Sequence, residues 1–319
     1  MSTAPRRGKS SESRLVLLIT GTAVLLRTTP KWRLLALPIA FLVLEFVLFP
    51  VTQAIYATNV PATALDRTSP AAKGLTYQAV TFMTTDDVRL SAWYIPSHNG
   101  AALVLLHGSG STRTSVLNQA VVLADHGFGV LTVDARGHGR SGGDAMDFGW
   151  WGNSDISAAV TWLQGRADVQ GSRIAVVGES MGGEEAIGAA AADPRIRAVV
   201  AEGALWRGAM DTSWLPHDFQ GYIERGMRAV ETGVSSLLSS APQPASLSSA
   251  LVATAPRPVL LIAGKPEIKG DRTDRDASPS NVTLWELPDE PHTSGLSKHP
   301  IEWTIRVTGF LDHVLAVGP

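Results

Sequence analysis

The chain has 319 residues, and its 27 Lys or Arg against 29 Asp or Glu give a formal net charge of −2 at pH 7. This charge gives no indication of a nucleic acid as partner, and the sequence has no basic stripe with interleaved aromatic side chains. The absence of cysteine excludes disulfides, thiolate catalysis and cysteine-ligated metals. The length permits one large domain with extra segments, or two modest domains.

The N-terminal region differs in composition from the rest of the chain. Residues 1–14 are a polar, basic tail, and residues 15–57 are predicted to form a membrane-anchor region. Its first apolar run, residues 15–26, is too short to cross a bilayer as a straight helix. The main span is predicted at about residues 34–56, where Glu45 is the one charge.

The distribution of positive charge predicts an orientation for this span. Seven Lys or Arg precede it, and the next positive residue after it is Arg67. The positive-inside rule then places the N-terminus in the cytoplasm and the folded domain outside it, with a single pass. Two alternatives stay open. Both apolar runs could cross as a hairpin, which leaves the domain cytoplasmic, or the region could be a long, cleaved signal peptide.

Residues 58–74 contain two prolines and read as a linker, and residues 75–319 read as one folded domain. A hairpin is predicted to join the first two strands. After it, short apolar strands alternate with segments that have the apolar periodicity of helices. The eight predicted strands are residues 77–83, 88–95, 102–106, 129–133, 173–177, 197–201, 258–263 and 282–287. The predicted helices are residues 114–126, 153–163, 181–192, 220–238 and 300–315.

Strands that are apolar on both faces and alternate with helices indicate an α/β fold with a mostly parallel sheet covered by helices on both sides. The interval 205–257 breaks this rhythm, because it is rich in Ser and Ala and carries four aromatic side chains. We interpret it as a small helical cap insertion that lies over the C-terminal edge of the sheet and shapes a pocket. The alternative is a helical excursion that packs elsewhere.

The sequence Gly178-Glu179-Ser180-Met181-Gly182 lies between an apolar strand and a helix, which is the context of a nucleophile elbow. The turn is so tight that Cβ atoms at positions 178 and 182 would clash, and glycine removes them. A second Gly-x-Ser-x-Gly match surrounds Ser141, but no strand directly precedes it, so Ser141 is interpreted as a loop serine. The alternative for Ser180 is a helix N-cap without chemistry.

An activated serine needs a base, and the base needs an acid that orients it. His292 follows the last strand, and Glu267 follows the strand 258–263, so both can reach the sheet edge that carries Ser180. His299 is the rival base. The other candidate acids are Asp271, Asp274, Asp276 and Glu202. A further alternative is that residues 265–276 form a charge-rich, solvated loop.

Three motifs together resemble the α/β-hydrolase superfamily over about residues 75–317. They are Leu-Leu-His-Gly-Ser-Gly at 105–110, after the third strand, Asp-Ala-Arg-Gly-His-Gly-Arg-Ser at 134–141, after the fourth strand, and the elbow. Within the superfamily the chain is similar to the dienelactone-hydrolase and serine-aminopeptidase-like branches. The resemblance implies the α/β-hydrolase fold, with His107 and His138 in packing and hydrogen-bonding roles.

The resemblance also implies a role for each site residue. Ser180 is the nucleophile, His292 the base and Glu267 the acid, although the family's acid is more often aspartate, while backbone N–H groups of Ser109 and Met181 hold the oxyanion. The chain is therefore expected to cleave a small-molecule ester, thioester or amide without cofactor or metal. The alternatives are a membrane-tethered binding domain of the same fold without activity, and an acyltransferase.

Overall fold

The computed structural model describes residues 31–59, 63–278 and 280–316, and the chain divides into two compact units between Pro50 and Val51. The predicted basic tail, residues 1–14, and the first apolar run, residues 15–26, lie outside the described residues. The N-terminal described segment is helical throughout. Helix α1 (Lys31–Val43), a π-helical turn (Leu44–Leu48) and helix α2 (Phe49–Asn59) follow one another directly.

Within the described residues, one helical segment, Ala36–Asn59, is long and apolar enough to cross a membrane by its length and composition. Many of its large apolar side chains, such as Leu37 and Phe41, are exposed, and a helix with apolar side chains around its surface is unfavourable in water. Glu45 lies in the π-helical turn. The main span was predicted at about residues 34–56, and this segment includes all of that range except its first two residues.

The second unit contains eight strands and eight α-helices in the described residues. The strands are β1 (Gln78–Met83), β2 (Arg89–Ile95), β3 (Ala102–Leu106), β4 (Gly129–Asp134), β5 (Ile174–Glu179), β6 (Ile196–Glu202), β7 (Val259–Gly264) and β8 (Val282–Leu287). The helices are α3 (Leu117–Asp125), α4 (Gly152–Gln164), α5 (Met181–Ala192), α6 (Phe219–Leu238), α7 (Leu247–Thr254), α8 (Ile268–Ala277), α9 (Gly295–Lys298) and α10 (Pro300–Val314).

The strands form a single sheet in the order β1-β2-β4-β3-β5-β6-β7-β8. Strand β2 is antiparallel to both of its neighbours, and the remaining pairs are parallel. The predicted eight-stranded, mostly parallel sheet is therefore confirmed. The chain turns to one side of β3 to make β4 and to the other side to make β5, so a crevice opens at the carboxyl ends of the strands there.

Helices cover both faces of this sheet, as the apolar strands predict. Side chains from α4, α5 and α7 form the core on one face, and side chains from α3 and α10 form it on the other. All five residues of β3 are buried because the strand lies between both layers. Helix α7 ends the interval 205–257 and belongs to the core layer, whereas α6 exposes Phe219 and Leu237.

The boundaries of the predicted elements agree with the structure to within three residues, and three α-helices, α7, α8 and α9, were not predicted. The alternative of a solvated loop at 265–276 is wrong, because residues 268–277 form helix α8. Its carboxylates do not all face solvent. Asp271 and Asp274 are buried, and the Ser248 hydroxyl donates a hydrogen bond to Asp274. Charged residues are typical of a solvated segment, and this helix instead buries two of them, one of which, Asp274, has a partner distant in sequence.

Candidate active site

Ser180 lies in the sharp turn between β5 and α5, with φ 53° and ψ −123°. This left-handed backbone is unfavourable for a residue with a side chain, and it is held here because the Ser180 N–H donates to the Glu202 carbonyl at 2.7 Å. A Cβ added at Gly178 would lie 2.2 Å from the Gly182 carbonyl oxygen, and one at Gly182 would lie 2.7 Å from the His107 carbonyl oxygen. The predicted steric need for both glycines is confirmed.

The structure brings Ser180, His292 and Glu267 into one chain of hydrogen bonds. His292 Nδ1 lies 2.8 Å from Glu267 Oε1, and His292 Nε2 lies 2.9 Å from Ser180 Oγ. A carboxylate only accepts, so the Nδ1–H donates to Glu267 and leaves Nε2 as the acceptor for the Ser180 hydroxyl. This tautomer is the one that can take a proton from the serine.

The surroundings of the imidazole differ sharply on its two sides. The Glu267 side chain is 1% exposed, whereas the His292 side chain is 46% exposed. The hydrogen bond to Glu267 raises the pKa of His292 above its usual value, and burial opposes this rise. The negative charges of Glu184 and Glu179 act in the same direction as Glu267. The imidazole is thus open to solvent on the serine side and fixed on the other.

Gly203 gives the imidazole its place above the end of β6, which lies between the strands that carry Ser180 and Glu267. Its φ is +73°, and an added Cβ would lie 2.8 Å from His292 Cε1 and 2.8 Å from Thr293 Cγ2. Any other residue would push the His292 loop away. Sequence reasoning missed this position, although a glycine directly after a buried strand was the available signal.

The rival residues form other contacts. Glu202 is buried and accepts hydrogen bonds from the Gly295 N–H at 2.7 Å and from Trp303 Nε1 at 3.0 Å. Glu202 therefore joins the start of α9 and helix α10 to the end of β6. His299 Nε2 pairs with Glu290 at 3.0 Å. In the described part of the chain, the side chain of neither residue hydrogen-bonds to His292 or Ser180.

The remaining candidate acids and the second serine motif also lie in different settings. Asp271 and Asp274 are buried within α8, and Asp276 forms an exposed ion pair with Arg275. The Ser141 hydroxyl donates to the Asp134 carbonyl at 2.6 Å and accepts from the Ser91 N–H at 2.9 Å. Ser141 thus joins a loop to β2, as expected for a loop serine.

The loop after β3 lies directly against Ser180, because β3 pairs with β5 and Leu106 is opposite Gly178. A Cβ added at Gly108 would lie 3.1 Å from Ser180 Cβ, so a side chain there would require Ser180 to shift by a few tenths of an ångström. Met181 opens α5, and the first N–H groups of a helix have no intrahelical acceptor. The backbone N–H of Ser109 donates no hydrogen bond within the described residues.

Two buried histidines hold this loop to the loop after β4. His107 Nε2 accepts from the Ala135 N–H at 3.1 Å, and His138 Nε2 accepts from the Gly110 N–H at 3.2 Å. Burial, helped by the nearby His138, lowers the pKa of His107 to about 3. The ring therefore stays neutral and can accept. The expected packing and hydrogen-bonding roles of His107 and His138 are what the structure shows.

An aromatic pair lies beside the elbow. Phe148 and Trp206 meet edge to face, with ring centroids 5.4 Å apart. Phe148 precedes Gly149, where an added Cβ would lie 2.9 Å from Met181 Cγ. The backbone N–H of Trp206 donates a hydrogen bond to the Glu184 carboxylate at 3.0 Å, which fixes the position of Trp206. Both aromatic rings are partly exposed.

Glu184 was not singled out from the sequence, although it organises the start of the interval 205–257. Its carboxylate accepts the N–H groups of Leu205 and Trp206 from within α5, and burial raises its pKa to about 7. The available signal was a pair of glutamates in a helix otherwise made of Ala, Gly, Ile and Met. In the described ranges, no group of three or more His, Asp or Glu is arranged to hold a metal ion.

Comparison with known proteins decides the family. The model of the family described as serine aminopeptidase, S33 (Hydrolase_4) matches residues 97–273, which is more than half of the chain. The chain belongs to the serine aminopeptidase S33 family. This family membership and the sheet described above make the protein an α/β hydrolase, as the resemblance of its motifs implies.

Three known proteins are similar to this S33 family member. The uncharacterized protein Rv2307c of Mycobacterium tuberculosis is 34% identical over 188 residues, which cover 55% of this chain and 66% of the relative. Thiohydrolase aneE of Aspergillus aculeatus is 34% identical over 130 residues, which cover 39% of this chain and 41% of the relative. The solved esterase Pf2001 of Pyrococcus furiosus has a TM-score of 0.68 at 24% identity, with 82% of this chain and 100% of that chain covered.

These similarities have a defined reach. Both sequence matches cover less than two thirds of the relative's own length, and the structural match shows the fold. The matched family region, 97–273, includes Ser180 and Glu267 and ends before His292.

The place of Gly203 yields a first prediction. We expect Gly203→Ala to lower ester hydrolysis by about 10²-fold or more, because the added methyl group displaces the imidazole and misplacements of about 1 Å have such effects. Gly208→Ala is the matched control, since an added Cβ there has nothing within 4 Å. Rates with a nitrophenyl ester and melting temperatures are measured for both. Equal activity of the two folded variants would contradict the role given to Gly203.

Proposed function

We propose that this protein is a serine hydrolase that cleaves a small-molecule ester, thioester or amide through an acyl-enzyme. Ser180 is the nucleophile, His292 the general base and Glu267 the acid that orients it. The observation that carries this proposal is the hydrogen-bonded chain from Ser180 Oγ through both imidazole nitrogens to Glu267. Chemistry of this kind needs no cofactor, and none is proposed.

The proposed reaction has two halves. Ser180 Oγ attacks the substrate carbonyl carbon while its proton passes to His292 Nε2, which forms a tetrahedral oxyanion. The imidazolium then gives this proton to the leaving group as the carbonyl re-forms, and the acyl-enzyme remains. A water molecule repeats the attack, again with His292 as base, and releases the carboxylic acid and the free serine. Base and acid help of this kind typically gives a factor of roughly 10²–10⁴.

Oxyanion stabilisation is assigned to the backbone N–H groups of Ser109 and Met181. Support comes from the close approach of Gly108 to Ser180 and from the position of Met181 at the start of α5. Donors of this kind are each worth roughly 10²–10³ in rate, because they point to the place where charge develops. The buried, neutral His107 would keep the Ser109 loop in position.

The substrate class follows from the surroundings of the serine. The partly exposed pair Phe148 and Trp206 beside the elbow favours an apolar acyl or leaving group. The names of the relatives, an esterase and a thiohydrolase, support oxygen esters and thioesters before amides. We therefore propose an acyl ester or thioester with an apolar acyl chain as the substrate.

The nucleophile is tested by active-site labelling. We expect wild-type protein to react with a fluorophosphonate probe and to hydrolyse nitrophenyl esters. Ser180→Ala should lose labelling and lower turnover by about 10⁶-fold, as in other serine hydrolases of this design. Ser141→Ala is the control serine from the second Gly-x-Ser-x-Gly match and should keep labelling.

Two results would argue against this proposal. A folded wild-type protein that refuses the probe would favour the alternative of a binding domain without activity. Turnover that gives mainly an ester adduct with an added alcohol, in place of the acid, would favour acyl transfer.

The orienting acid is tested by the pH dependence of kcat/KM. His292 must be neutral to accept the serine proton, so the rate falls as the pH drops through its raised pKa. In Glu267→Gln the charge that raises this pKa is lost, so the midpoint should move to lower pH and the maximal rate should fall by about 10³–10⁴-fold. Asp276→Asn, an exposed acid of the next helix, is the control. An unchanged midpoint in Glu267→Gln would exclude its assigned role.

We also propose a membrane location for this hydrolase. Residues 1–14 would form a cytoplasmic tail, residues 15–57 the anchor, residues 58–74 the linker and residues 75–319 the catalytic domain, with the interval 205–257 as its cap. The support is the apolar helix Ala36–Asn59 and the charge bias before it.

Reporter fusions test the orientation. Reporters placed after Tyr56 and at the C-terminus should both be active outside the cytoplasm, because the positive charges are concentrated before the span. A cytoplasmic signal from both fusions would mean a two-span hairpin. A mature chain without its N-terminal segment would instead mean cleavage.

A further inference from the structure

A second cleft, distinct from the serine site, opens on the β1–β2 side of the sheet. Its volume is about 480 Å³. It is lined by Ala79, Val80, Thr81, Arg89, Ser91, Arg113 and Arg140. Thr81 is opposite Ser91 in the antiparallel pair, so their small side chains share a face and leave room for a ligand. Three of the seven lining residues are arginines, and none is an acid.

Arg113 lies at the base of the cleft with 1% of its surface exposed. Its guanidinium stacks on the Trp93 ring at 4.3 Å, and its Nη1 donates to Ser91 Oγ at 2.8 Å. Its Nε has no hydrogen-bond partner within the described residues, since Asp134 Oδ2 lies 3.6 Å away. The guanidinium is therefore buried next to one carboxylate and does not form a bidentate ion pair with it.

The other two arginines are exposed and add uncompensated charge. The side chains of Arg89 and Arg140 make no ion pair or hydrogen bond with any described residue. The acid beside Arg113 is Asp134, which is fully buried and accepts the backbone N–H groups of Arg113 and Arg140, at 2.9 Å and 2.8 Å. Three positive side chains against one carboxylate leave a local surplus of two charges.

We propose that this cleft binds a phosphate group. Guanidinium groups are planar forks that bind phosphate oxygens in pairs, and they are the preferred partners for phosphate in proteins. Three of them surround a space lined by small side chains, with one fixed by stacking and buried. A phosphate would accept hydrogen bonds from the exposed side chains of Arg89 and Arg140 and offset the surplus charge. The proposal concerns a site apart from Ser180 and stands whether or not the hydrolase proposal holds.

The phosphate could come from a free phosphorylated molecule or from a lipid headgroup. The test uses the full chain in detergent, titrated by calorimetry with inorganic phosphate, with sn-glycerol 3-phosphate and with dihexanoyl phosphatidic acid. Dihexanoyl phosphatidylcholine serves as the lipid control, since its headgroup has no net charge. The variants are Arg89→Gln, Arg140→Gln and the double variant, with Arg197→Gln as an exposed arginine outside the cleft.

We expect at least one phosphate probe to bind, with a Kd raised about tenfold or more by each cleft variant and unchanged in Arg197→Gln. Binding of the two water-soluble probes assigns a free phosphorylated molecule. Binding of phosphatidic acid alone assigns a lipid headgroup, provided that the cleft variants weaken it. Both exposed substitutions should leave the melting temperature and ester hydrolysis unchanged.

Two outcomes would overturn the proposal. One is the absence of binding by all three phosphate probes to a folded wild-type chain. The other is binding that the double variant retains at wild-type strength, because the arginines would then not be the ligands.

Discussion

The parallel register of β3, β5, β6, β7 and β8 is the constraint on which the site depends. Parallel strands end at the same edge, so the loops that follow them meet although their residues are far apart in sequence. The loop that carries Gly108 follows β3, Ser180 follows β5, and Glu267 and His292 follow β7 and β8. Strand β6 lies between the strands that carry Ser180 and Glu267. The residue after β6 must therefore leave space for the imidazole that contacts both side chains. Gly203 provides this.

Burial of carboxyl groups around the site has an electrostatic consequence. Burial raises the pKa of Glu179 to about 8 and, together with nearby acids, raises the pKa of Asp271 well above its usual value. Burial thus shifts both of these groups towards the protonated form. Glu267 is distinguished from them because it alone is hydrogen-bonded to the imidazole. The Glu267 carboxylate therefore holds one ring nitrogen, and Ser180 is the partner of the other.

Much of this arrangement was predictable because its signals are local in the sequence. A strand, a Gly-x-Ser-x-Gly turn and a helix fall within about twenty residues. Gly178 is required by a contact inside the turn, whereas Gly182 is required by contact with the loop after β3. His292 and Glu267 could be placed because each follows a recognisable strand, and strand order fixes which loops meet. Apolar periodicity reports burial directly, so the sheet and both helical layers followed from it.

The features that were missed depend on contacts between distant segments. Helix α8 reads as a solvated loop because its charges are visible in the sequence while the partner that receives Asp274, Ser248, lies 26 residues away. Arg89, Arg113 and Arg140 form no basic run, and the total charge of −2 conceals them. They converge only because β2 pairs with β1 and β4 and because Asp134 holds the loops after β3 and β4 together. A balanced total charge therefore excludes an extended basic surface, but it does not exclude a small site whose charges are gathered by the sheet.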